Sequence, residues 1–380
     1  MGSVYKRLAL FKVGVVLESL EDRGEPVWRD HHNPGSGFDV GRASMGQIGD
    51  EVKLCQLGSV LREQSVLDVL STMDVVFIYV FENYLVFNRK CLDRMPEYSA
   101  FQSVPNPIVR SISELVARLP NPVLLMSQHG NYEESFFPYI PSQLSEFLQI
   151  LSQSNVIGWV EWVPYQYHLM KKLLRKVVFC PMVYWPEGNT DLRKKDEISY
   201  DGPLRIVVGR SPAGVDWHDN GVQCHLVAQE ISKIVGDVEV TYAERDSHIQ
   251  KDYIKRTLGI DTHVSTGWFD SRSQRIDDLR KSHLFIQLGW RMSRSGFSTD
   301  AAVVGVPSVV SNRLFHQVLY PKTSVDPFQV SRAVSLGVRL LQDSSFRERV
   351  ITTARFRAER FCSAIGVRRI VQDILRRHAA

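Results

Sequence analysis

At 380 residues, 44% hydrophobic and 23% charged, the chain is long enough for two domains with real cores and has the make-up of a globular protein. It holds no run of about 18 apolar residues, so no membrane-spanning helix is expected. Lys12 and Glu18 interrupt the apolar run near the start, where no signal peptide is read, so a cytoplasmic protein is expected. A net charge of +4 demands neither nucleic acid nor an anionic membrane as partner. The five cysteines are odd in number and scattered, which predicts thiols rather than disulfides, and none has zinc spacing.

Taken in order, Leu8–Leu17 is an apolar, β-branched run that predicts the first strand. Residues 30–49 are rich in glycine and turn formers and predict a long functional or flexible loop. His31 and His32 stand there without the acidic or Cys partners a metal would need, so no metal site is expected. The apolar spacing predicts helices over 56–70, 108–119, 144–151 and 165–174. Strands are predicted at 74–80, 123–130, 156–160 and 176–180. Between Tyr184 and Gly202 this rhythm lapses into a charged, turn-rich stretch that reads as a linker.

The pattern then restarts, with strands predicted at 204–209, 238–242, 262–267 and 283–288 and helices at 222–235 and 273–281. From Phe328 the chain predicts two long amphipathic helices, at 330–341 and 345–361. Their arginines, from Arg347 to Arg360, read as a solvated face. Alternating strands and helices predict parallel sheets in both halves, which bind ligands at the carboxyl ends of their strands. The loops at those ends follow Gln128-His129-Gly130, Gly209-Arg210 and Leu288-Gly289.

The segment 294–311 carries the most chemistry. Gly296 allows close backbone approach, Ser298 and Thr299 are candidate helix caps, and Asp300 suits a first helical turn. Gly305 and Pro307 predict the stop, and Ser308–Ser311 an interior strand. A glycine-bearing loop entering a helix offers unpaired N–H groups to a phosphate. As an ordinary connection between helix and strand, the same residues would serve no ligand.

The second half resembles the retaining GT-B glycosyltransferases of the family-4 type, over residues 203–360 and more loosely across the first half. The resemblance rests on the strand with Gly209-Arg210 and on 279–288. It rests further on Ser295-Gly-Phe-Ser298 followed by Asp300-Ala-Ala-Val-Val-Gly-Val-Pro307, and on the closing helices. It implies two Rossmann-like domains facing a central cleft. The first, 1–186, would bind the acceptor; 187–202 is the linker; 203–355 would bind the nucleotide sugar. Residues 356–380 would be a helix of the kind that crosses back to the first domain.

The implied activity is transfer of a sugar, with retention, from a nucleotide-diphosphate donor, a UDP-sugar being expected, without a metal or other cofactor. Asp300 would accept the ribose hydroxyls, and Arg210 would fork onto the pyrophosphate beside Gly209. Arg294, Ser295, Gly296, Phe297, Ser298 and Thr299 would complete the donor loop, and His129 would stand beside the sugar. The family's lysine after the Gly-Arg turn is absent here, as is its first carboxylate, whose place Arg294 or Ser295 takes. Arg291 or Arg294 would supply the missing positive charge.

The acceptor is not written in these motifs: a modified DNA base, a glycan, a lipid-linked sugar or a protein all fit. Trp159, Trp162, Tyr165 and Tyr167 are candidate stacking residues in the first half. The alternatives are a phage-type DNA glycosyltransferase, a sugar-nucleotide epimerase of the same fold, and a catalytically degenerate binding subunit.

Overall fold

A computed structural model of the chain describes residues 10–17, 44–80, 108–109, 112–127, 141–181, 183–185, 202–209, 221–242, 265–266, 272–289, 296–313 and 315–379. They form two compact units. The chain passes from the first to the second between Val183 and Tyr184 and returns between Gly366 and Val367; Trp162–His168 also group with the second.

The first unit is built on six parallel strands in the order β2-β1-β3-β4-β5-β6. They are β1 (Lys12–Leu17), β2 (Glu51–Gln56), β3 (Val75–Val80), β4 (Val123–Ser127), β5 (Val156–Glu161) and β6 (Val177–Phe179). Between them run α1 (Leu57–Arg62), α2 (Gln64–Leu70), α3 (Ile112–Arg118), α4 (Pro141–Ser152) and α5 (Pro164–Leu173). Strands covered on both faces read as continuous apolar runs, and β5 is buried along its whole length. Strand β2 was not expected from the sequence. It is an edge strand whose Glu51 pairs with Lys12 of β1 at 2.9 Å, so its charges hide the apolar rhythm. The helix predicted over 56–70 is two helices, broken at Glu63.

The second unit repeats the plan with the order β12-β11-β10-β7-β8-β9, again all parallel. Its strands are β7 (Leu204–Val208), β8 (Val238–Tyr242), β9 (Ser265–Thr266), β10 (Leu284–Gln287), β11 (Ser308–Ser311) and β12 (Ser324–Val325). Its helices are α6 (Gly221–Val235), α7 (Arg272–Arg280), α8 (Gly296–Val304), α9 (His316–Leu319), α10 (Val330–Gln342) and α11 (Ser344–Cys362). A last helix, α12 (Ala364–Ala379), belongs to the first unit from Val367 onward. The single helix expected over 356–380 is therefore broken. Ser363 caps the new one by accepting the Gly366 amide at 3.0 Å.

The C-terminal arginines are not all a solvated face. Arg347 donates to the carbonyls of Leu340 and Leu341 at 3.0 and 2.9 Å, and Arg357 to that of Val318 at 2.9 Å. Arg355 donates to Val303. Three arginines of α11 thus hold the carboxyl ends of α10, α9 and α8, where orphan carbonyls and the helix dipole favour a cation. Only Arg349 and Arg360 of this stretch are exposed. The described cysteines, Cys55, Cys180, Cys224 and Cys362, are buried thiols, and burial pushes Cys55 and Cys180 up to about 12. Among the described residues no helix is long and apolar enough to cross a membrane.

Candidate functional site

In the second sheet the chain builds outward from β7 through β8 to β9, then returns to add β10, β11 and β12 on the other side. The switch point therefore lies between β7 and β10, and an open parallel sheet leaves a crevice there at its carboxyl edge. Gly209 ends β7 at this point and donates its amide to Ile286 of β10 at 3.0 Å. A β-carbon on Gly209 would stand 3.0 Å from the carboxamide carbon of Gln287, the last residue of β10. Gln287 is itself buried, while the next amide, Leu288, donates to the Cys224 sulfur at 3.1 Å. A side chain at 209 would thus press on that of Gln287, and a polar side chain ends an otherwise apolar strand.

Because β10 and β11 are parallel, the connecting helix α8 must begin at the same carboxyl edge. It begins at Gly296, earlier than the sequence suggests. Ser298 and Thr299 are consequently inside its first turn rather than capping it, and Asp300 falls just beyond that turn. The first four N–H groups of a helix have no partner within it, and here they belong to Gly296 through Thr299. The other end is as expected: Gly305 has φ +81°, and Val306 donates back to Ala301 at 2.8 Å in a Schellman closure.

Packing fixes α8 firmly. Phe297 stacks on Phe285 of β10 at 6.3 Å, beside a core of Val207, Ile276, Leu279, Ala301, Val304 and Val306. Ser298, Thr299 and Asp300 are all fully buried or nearly so, with Asp300 at 0% exposure. The Asp300 carboxylate is therefore out of contact with solvent.

Tyr184 was not foreseen as part of this edge. A β-carbon on Gly296 would lie 1.9 Å from its hydroxyl oxygen and 2.4 Å from the ring carbon that bears it. The phenol stands where a side chain at position 296 would have to be. Its backbone is pinned by donation of the Tyr184 amide to Cys362 at 2.8 Å. No local signal marks this pair, since the partners are far apart in sequence. Gln287 did leave a signal, as a carboxamide closing the apolar run Leu284–Ile286.

Of the expected site residues, Gly209, Gly296, Phe297, Ser298, Thr299 and Asp300 are carried by this one sheet and its crossover helix. Arg210, Arg294, Ser295 and His129 lie outside the described residues, as do Arg291 and most of the linker 187–202. Trp159 of the first unit and Trp162, which groups with the second, are 2% and 7% exposed, so they are core residues and not a stacking platform. The Trp159 indole donates to the buried Glu161 carboxylate at 2.7 Å and packs edge-on against Phe147. Tyr167 is half-buried beside His168.

No family model matches the sequence, and no curated protein matches it. Solved structures do. Sucrose-phosphate synthase from Thermosynechococcus elongatus is 9% identical with a TM-score of 0.57, over 97% of this chain and 98% of that one. The Anabaena protein HepE, in complex with UDP-glucose, is 10% identical with a TM-score of 0.55, over 96% and 99%. An alpha-glucosyltransferase in complex with UDP and a 13-mer DNA containing an HMU base is 11% identical with a TM-score of 0.52, over 97% and 99%. At such identities the likeness is one of fold, and the fold is GT-B: two α/β domains, each on a parallel sheet.

Proposed function

We propose that the chain is a glycosyltransferase that takes a sugar from a nucleotide diphosphate, a UDP-sugar being the favoured donor, with retention and without a metal. The observation that carries this reading is the carboxyl edge of the second sheet. There the β7–β10 switch point, closed by Gly209 against Gln287, faces the same side as the amino terminus of α8. Amides that lack an intrahelical partner at a helix terminus suit a diphosphate. That structures in complex with UDP and UDP-glucose share this fold supports the donor class.

In this reading the bond between the anomeric carbon and the diphosphate oxygen breaks as an acceptor hydroxyl bonds to that carbon on the same face and passes its proton to the departing diphosphate. Negative charge gathers on the departing diphosphate, where the α8 amides and Arg210 stabilise it. Arg291 or Arg294 would be the second cation, and His129 would stand beside the sugar. Asp300 would accept the ribose hydroxyls.

The test is calorimetric titration of the full chain with UDP, GDP, ADP and uridine, followed by transfer assays with a panel of nucleotide sugars. The acceptors should include glycans, lipid-linked sugars and DNA with hydroxymethylated bases. Binding of a nucleoside diphosphate but not of the nucleoside, weakened by Arg210→Ala, is expected. A chain that binds no nucleoside diphosphate and hydrolyses or transfers no sugar is not this enzyme.

A further inference from the structure

Helix α6 follows β7 and leads to the parallel strand β8, so it too begins at the carboxyl edge of the second sheet. Strands β8 and β11 lie on opposite sides of the switch point. Right-handed crossovers therefore place α6 and α8 on opposite faces of the sheet. The buried face of α6 carries Gly221, Cys224, Ala228 and Ile231, three or four residues apart. Cys224, in the first turn, is 1% exposed, and its sulfur accepts the Leu288 amide at 3.1 Å. Leu288 is itself buried and is the first residue beyond β10, where the chain leaves the strand on its way to α8. The β7–β10 pairing ends with the Gly209 amide on Ile286, and just past it the Leu288 amide turns to α6.

A buried amide needs an acceptor, and a buried first turn needs a small side chain. Cysteine meets both needs, because its sulfur is compact, suited to the interior and still a weak acceptor. We propose that Cys224 is a positioning residue for the donor. By holding the Leu288 amide it fixes the end of β10, and with it Gln287, at the switch point. Gln287 precedes Leu288 and stands against Gly209, so a slip at Leu288 moves the carboxamide where the diphosphate is proposed to lie. Cys224 itself touches no donor atom and forms no covalent bond in this role. The consequence for the donor rests on the sugar-transfer reading, whereas the hold on β10 does not.

The experiment compares Cys224→Ala and Cys224→Ser in the full chain by UDP titration, thermal melting and amide hydrogen exchange. Alanine removes the acceptor, while serine keeps one at nearly the same place. Both disturb the packing of the first turn, so the melting temperature should fall in both. UDP affinity should drop about tenfold in the alanine variant and stay within about twofold of wild type in the serine variant. Exchange across 284–288 should quicken in the alanine variant alone. Equal loss of UDP affinity in both variants would tie the effect to packing and overturn the proposal, as would wild-type affinity in the alanine variant. If the wild type binds no UDP, the sugar-transfer reading falls, and exchange alone then decides whether Cys224 holds the end of β10. Unchanged exchange in the alanine variant overturns the proposal in either case.

Discussion

Gly296 and Tyr184 share one space: the phenol hydroxyl stands 1.9 Å from where a β-carbon on Gly296 would be. Gly296→Ala should therefore destabilise the chain by about 1–3 kcal/mol, the usual cost of overpacking. In a Tyr184→Ala background the clash is gone, and alanine is the better helix residue by about 0.5–1 kcal/mol. The same substitution should then be neutral or stabilising. Urea denaturation of the four proteins reads this reversal of sign, and additive effects would mean that the two residues do not meet.

Arg347 supports the carboxyl end of α10 through two carbonyls, at 3.0 and 2.9 Å. Arg347→Met keeps the aliphatic stem and removes both bonds, which should cost about 1–3 kcal/mol. Arg349→Met, exposed on the same helix, should stay within about 0.5 kcal/mol of wild type. Equal effects on the unfolding midpoint would argue against helix-end support.

What the sequence made legible follows from where the governing forces are local. Ser308–Ser311 and the Gly305 stop are written in β-branched residues and in a positive φ, both properties of the segment itself. Strand β2 was hidden because an edge strand tolerates Glu51 and Lys53 in positions a central strand would fill with apolar groups. The start of α8 was misplaced because glycine is a poor helix former. Its use at 296 is imposed by Tyr184, which no local pattern announces. Trp159 and Trp162 show the same limit, since composition alone does not separate a buried indole from a stacking one.

His316 is fully buried, and among the described residues neither imidazole nitrogen has a hydrogen-bond partner. Burial pushes it down to about 3, and His225 down to about 4. Because these folded values lie below the unfolded one near 6.5, the unfolded chain binds more protons. Stability is thus fully present above about pH 6.5 and falls as pH drops toward the folded values. A gap of this size at His316 is on the order of 5 kcal/mol when fully expressed. His316→Leu should flatten the acid limb of the stability curve between about pH 6.5 and 4. Identical slopes in pH-dependent denaturation would remove His316 as the cause.

Arg368 forks onto both Asp50 oxygens at 2.6 Å while lying over the Phe11 ring at 5.2 Å. The fork, then the Phe11 amide, holds the Asp50 carboxyl down at about 2. A depressed carboxylate stabilises above its ordinary range and loses that contribution as pH falls toward the folded value. Arg368→Gln and Asp50→Asn should each speed amide hydrogen exchange along α12 from Val367 onward, leaving β8 and β10 protected. Unchanged exchange in α12 would show that its apolar face, through Val367, Val371 and Ile374, suffices to hold it.

Gly209 meets Gln287 more gently than Gly296 meets Tyr184. A β-carbon there would be 3.0 Å from the carboxamide carbon and 3.2 and 3.4 Å from the two carbons behind it. A few tenths of an ångström of movement relieves this, so Gly209→Ala should fold with little loss of stability. The movement falls at the β7–β10 switch point, where the diphosphate is proposed to lie. UDP affinity should drop roughly tenfold, or about 1.4 kcal/mol, with the melting temperature nearly unchanged. Gln287→Ala removes the crowding atoms, and in that background Gly209→Ala should no longer displace anything. Affinity lost equally in both backgrounds would trace the effect to the backbone of residue 209, not to its contact with Gln287.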